Sequence, residues 1–200
     1  MIGGIDLRIA ELLASRLCHE LVSPVGAISN GLEIMEDEPD FASDAGALIA
    51  DSARQAACRL QFYRVAYGST ATIADAIARD ATMELFAQSK IRCRWADTAL
   101  PAGWQKLACN LMLLASEALP RGGELRLESD GQGISIVAMG EGARFAETVP
   151  ALIDRMPDAE EITPRTVQTV FTASLARRLG GSLQLREGMA NEVALIVRPG

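Results

Sequence analysis

The sequence predicts an α+β fold in which a long antiparallel helical hairpin precedes a region of interleaved helices and strands. Three observations lead there. Ala and Leu dominate a composition that is 49% hydrophobic and only 4% aromatic, a mix that favours packed helices over sheet. Between residues 6 and 68 the apolar spacing is helical, without strand-like alternation. Beyond Gly68-Ser69-Thr70, short alternating runs appear between helical ones. The 200 residues suffice for a real core, and the change of texture divides them into a hairpin, 1–69, and an α+β domain, 70–200.

Apolar residues at positions 9, 13, 17, 21, 25, 28, 32 and 35 step by three or four, the spacing of one helical face. Asp37-Glu38-Pro39-Asp40 is a turn signal, and residues 41–67 return as the antiparallel partner. A lone hairpin buries its seam poorly, so two are expected to associate as a four-helix bundle in a homodimer. Residues 72–89 read as a helix with Thr70 or Thr72 as cap. Next come a strand at 91–95, a helix at 103–119 and strands at 124–129 and 134–139. Helices at 143–155 and 165–179 follow, the second stopped by Gly180-Gly181. Strands at 182–186 and 192–197 complete an expected meandering sheet.

Composition narrows the function. The formal charge is −7, from 26 acidic and 19 basic residues, which argues against nucleic acid as a partner. The most apolar run, Leu107 to Leu119, is short and broken by Asn110, Ser116 and Glu117, so no bilayer span is expected. The opening Met1 to Asp6 lacks the pattern of a secretory signal. The expectation is a cytoplasmic chain with no membrane partner. Cys18, Cys58, Cys93 and Cys109 form no C-x-x-C pair. They read as reduced and mostly core, and with one histidine no metal site is expected.

That histidine is His19. At 100° per residue it points away from the apolar face, toward the side shared by Ser15, Arg16, Ser23, Gly26 and Asn30. These residues are mostly small or polar, so a large partner could reach the imidazole. Glu20 follows directly. Pro24, five positions on, removes an amide donor and crowds the carbonyl of Glu20, which predicts a kink one turn past His19. Bland alternatives exist for each: a lone histidine without a chemical task, a tolerated kink, a solvated helix charge.

Cys18-His19-Glu20-Leu21-Val22-Ser23-Pro24-Val25 resembles the phospho-accepting box of sensor histidine kinases. The longer run from Leu17 through Gly26-Ala27-Ile28-Ser29-Asn30-Gly31-Leu32-Glu33 is similar to the ChpT family of alphaproteobacterial histidine phosphotransferases. The resemblance implies that His19 accepts a phosphoryl group from one receiver-domain aspartate and passes it to another. The receivers would belong to a hybrid histidine kinase and to response regulators, and would supply the magnesium ion. Glu20 would orient the imidazole or accept its other N–H. Arg59, counted back from the turn, falls opposite His19 and either helps hold the phosphoryl group or is an ordinary surface charge. Arg16 carries the same ambiguity.

Residues 104–140 resemble, in order, the ATP-binding domain of histidine kinases, which implies an ATPase-like α/β sandwich, but a degenerate one. The Asn110-Leu111-Met112-Leu113-Leu114-Ala115 run puts Leu114 where those kinases carry a magnesium-binding asparagine. Pro120-Arg121-Gly122-Gly123 keeps the turn that follows. Ala138-Met139-Gly140-Glu141-Gly142 keeps the glycines of the adenine box but has Ala138 for its aspartate. Thr163 to Val167 stands where a glycine-rich lid is expected. No nucleotide or metal cofactor is therefore expected. The alternative reading is a non-phosphorylated scaffold of the same fold that binds response regulators.

Overall fold

The computed structural model describes residues 4–69, 73–188 and 191–200; Thr70 and Thr72, the expected caps, lie outside them. Helix α1 spans Gly4–Asp37 and α2 spans Ala42–Tyr67, joined by a 3-10 turn at Pro39–Phe41. The proline ends the first helix because it cannot donate to it, while its fixed φ suits the start of the turn. At 34 residues, α1 is about 50 Å long. Pro24 lies within it without interrupting the helix.

The seam between α1 and α2 departs from the expected face. Ile9 is buried, but Val25, Leu32 and Met35 are 52%, 51% and 40% exposed. Pro24 and Gly31 are buried instead, with Ala45 and Ser52 on α2. A Cβ on Gly31 would sit 2.6 Å from Cγ1 of Ile49. The helices thus approach along small residues, which rotates the large ones outward. Val22, Phe41 and Leu48 join that exposed apolar stripe.

The remaining elements are α3 (Asp75–Phe86), β1 (Ile91–Arg94), α4 (Gln105–Ser116), β2 (Gly123–Ser129), β3 (Ile134–Met139), α5 (Val149–Asp154), α6 (Val167–Arg178), β4 (Gly181–Glu187) and β5 (Glu192–Pro199). The sheet is not a meander. Its order is β1-β2-β3-β5-β4, and β1 pairs parallel to β2 because α4 intervenes between them. The last hairpin enters through β5, so β3 neighbours β5 rather than β4. The helix expected over 143–155 is only α5. Ala143 closes a turn onto the Gly140 carbonyl, and Pro150 lies at the start of the helix, where its missing donor costs nothing.

Alternation divides the sheet into two faces. Leu125, Leu127, Ile134, Ile136, Leu195 and Val197 face the core with Leu107, Leu111 and Leu114 of α4. The opposite face is charged: Glu124 accepts ion pairs from Arg92, Arg94 and Arg126.

The base of the hairpin shares this body's core. Phe62, Tyr63, Val65 and Ala66 of α2 cluster with Ala78, Ala81, Cys109 and Leu113. Ile9 and Leu12 of α1 cluster with Leu152, Ile162, Val167 and Val170. The cysteines are all free and, against the expectation of mostly core cysteines, only Cys109 is buried: Cys58 and Cys93 are partly exposed and Cys18 is exposed beside His19. No helix among the described residues is long and apolar enough to cross a membrane.

Candidate functional site

His19 lies midway along α1 and is exposed, as are Ser15, Ser23, Gly26 and Asn30. These five occupy one open strip of the helix. A Cβ built on Gly26 meets nothing within 4 Å, so the strip is unobstructed on that side. Two turns of small and polar residues flank an imidazole that any convex partner could approach.

The other named residues turn away from this strip. Arg16, expected on it, is drawn inward by Glu117 at the end of α4, with Nη2 donating to Oε1 at 2.8 Å. Burial pushes the Glu117 carboxyl up despite the opposing pull of Arg16. Arg59 Nε lies 3.6 Å from Glu20 Oε2. The structure thus joins Glu20 to Arg59 rather than to His19. Arg16 and the Glu20–Arg59 pair border a cleft of about 510 Å³ between the hairpin and the end of α3, lined also by Tyr63, Gln55, Gln88 and Ser116. Burial raises the Tyr63 hydroxyl to about 12, with the charge of Glu20 adding to it. Arg16 Nε and Arg59 Nη1 are buried without a hydrogen-bond partner.

Sequence reasoning missed Glu117, Tyr63, Gln168 and the seam role of Asn110. Arg16 and Glu117 are 101 positions apart, as are Tyr67 and Gln168, whose hydroxyl and Oε1 are 2.7 Å apart. No local spacing signals such pairs.

The kinase-like boxes of the second half serve packing. Leu114 and Ala138 have no exposed surface, and leucine and alanine side chains offer neither an oxygen to a cation nor a carboxylate to adenine. Gly122 has φ 85°, and a Cβ there would meet the Lys90 carbonyl at 2.4 Å. Gly140 approaches Gly122 as closely: its added Cβ would lie 2.4 Å from the Gly122 carbonyl. The retained glycines are thus required by the chain's own turns. Just before Thr163 to Val167, where a lid is expected, Arg155 donates to both oxygens of Glu161 at 2.8 and 2.7 Å, holding that carboxyl down to about 2. Ile162 is fully buried, and its carbonyl accepts from Arg8 Nε at 3.3 Å. The segment is packed onto α1.

Residues 76–191 match the family described as the histidine phosphotransferase C-terminal domain. The chain is 35% identical over 196 residues to protein phosphotransferase ChpT of Brucella abortus (strain 2308), covering 90% of each sequence. The solved structure of a bacterial phosphotransferase superposes with a TM-score of 0.83 at 32% identity, covering 96% of each chain. The histidine kinase AdeS of Acinetobacter baumannii is far looser, with a TM-score of 0.41 at 12% identity over 91% of this chain and 97% of that one.

Proposed function

The chain belongs to the ChpT-like histidine phosphotransferases, and from that premise we propose that it carries a phosphoryl group on His19 between receiver-domain aspartates, without drawing on ATP. The observation that carries this reading is the exposed imidazole on an open helical strip bordered by Ser15, Ser23, Gly26 and Asn30. A neutral imidazole nitrogen is nucleophilic at physiological pH. It attacks the phosphorus of an aspartyl phosphate; the N–P bond forms as the P–O bond to the carboxylate breaks, and the carboxylate leaves. The reverse step delivers the group to a second aspartate. Such transfer depends on alignment and charge stabilisation more than on covalent work by the protein. The receiver supplies the magnesium ion in this scheme.

Ser15, Ser23, Gly26 and Asn30 form the partner-facing strip. Arg16 and Arg59 act from beside it, through Glu117 and Glu20 respectively. Glu20, paired with Arg59, stands beside the nucleophile rather than bonding to it. The reading without ATP is supported by the side chains at the two nucleotide boxes: Leu114 and Ala138 are core residues with no ligand chemistry.

The working unit is a homodimer. Val22, Val25, Leu32, Met35, Phe41 and Leu48 leave a long apolar stripe uncovered on the distal hairpin. A second copy lays an identical stripe against it, and burying it drives association.

The test is transfer from a phosphorylated receiver with magnesium and no ATP. Wild type should acquire acid-labile label and His19→Ala none. Equal labelling of the variant would overturn the role of His19. No labelling of either by any cognate receiver would favour a scaffold that only binds regulators.

A further inference from the structure

The last turn of α2 makes an unusual polar junction with the body. Terminal helix carbonyls lack donors of their own, and here one is capped from another helix. Asn110 Nδ2 of α4 donates to the Ala66 carbonyl at 2.7 Å and to the Lys106 carbonyl at 2.8 Å. The Lys106 ammonium donates to the Gly68 carbonyl. From the other side, Tyr67 donates its hydroxyl proton to Gln168 Oε1 of α6 at 2.7 Å. Gln168 Nε2 donates to Asn110 Oδ1 at 3.1 Å and to Thr172 Oγ1 at 3.1 Å. Asn110, Gln168 and Thr172 have no exposed surface.

This chain of bonds links three helices, with both polar atoms of each buried amide engaged. The surrounding apolar contacts would tolerate small slides of one helix over another, because hydrophobic burial is non-directional. An amide network permits one alignment and is costly to misalign in a dry interior. We propose that Asn110 and Gln168 are positioning residues that clamp the hairpin to the body. They thereby fix how the His19 strip and the α3-side cleft present themselves together to a partner. The effect on transfer rests on the phosphorelay reading; the clamp does not.

Two readouts test it. Nitroxides on non-natural residues at Ser43, near the hairpin tip, and Gln184, on the open sheet, report the angle as a distance distribution. Gln168→Met keeps the volume and removes the network's centre. Tyr67→Phe removes one bond from a half-buried position and keeps the fold. With the labelled protein diluted in excess unlabelled protein, so that only distances within one protomer are read, the distribution should be single and narrow in wild type, broader in Tyr67→Phe and broadest in Gln168→Met. If only about a tenth of the loosened molecules have the competent angle, KM for a phosphorylated receiver rises about tenfold while kcat holds. An unchanged distribution in folded Gln168→Met would overturn the clamp, whatever happens at His19. A broadened distribution with unchanged KM would overturn its part in positioning for transfer.

Discussion

The base and the shaft of the hairpin are continuous helices, yet they are opposite environments. At the base, Phe62, Val65, Ala66, Ile9 and Leu12 are buried against α3–α6. On the shaft, Val25, Leu32, Phe41 and Leu48 are half exposed or nearly so. Helical periodicity marks an apolar face in both regions but does not say what covers it. The base is covered by this chain's own body, whereas the shaft's stripe needs something else. His19 lies where one regime gives way to the other, near enough to the body for Arg16 to reach Glu117 and far enough out for the imidazole to be open.

The largest expected effect lies at the base. Phe62→Ala empties a site with no exposed surface and should cost about 3–5 kcal/mol, read as a large loss in denaturant midpoint. A cost near zero would mean that the base is not part of the core. On the shaft, Leu32→Glu should leave the protomer folded and convert the proposed dimer to monomer in sedimentation experiments. An unchanged dimer would place the interface elsewhere, and unfolding would blur the contrast between the two regions.

A third, smaller effect follows from the seam. Burial raises Tyr67 and lifts Tyr63 to about 12. In the unfolded chain both ionise near 10. Because the folded values are higher, the stability they contribute is complete below pH ~10 and is lost as pH rises through about 12. Unfolding free energy measured across that window should fall, and should fall less in Tyr67→Phe. A flat profile would mean that the tyrosines are not buried at the base.

Much of this was legible in the residues. The hairpin turn at Pro39, the α+β texture and the placement of His19 rest on spacings within one or two helical turns. What escaped depends on distance in sequence. The seam through Gly31 was hidden because glycine carries no hydrophobic signal, although its missing Cβ is what lets α2 approach. The parallel pairing of β1 with β2 and the entry of β5 beside β3 depend on which edges α4 and α6 leave free. Arg16 reads locally as a helix-surface charge; only the fold reveals Glu117 beside it. Asn110 reads as a relic of a nucleotide box, yet its amide caps α2.

The most direct measurement is to locate the label itself. The protein would be exposed either to a phosphorylated receiver with magnesium or to magnesium-ATP alone, and the modified peptide mapped. The expected result is an alkali-stable, acid-labile phosphoryl group on the peptide containing His19, after exposure to the receiver and not after ATP. Label on another residue, or on His19 from ATP alone, would contradict it.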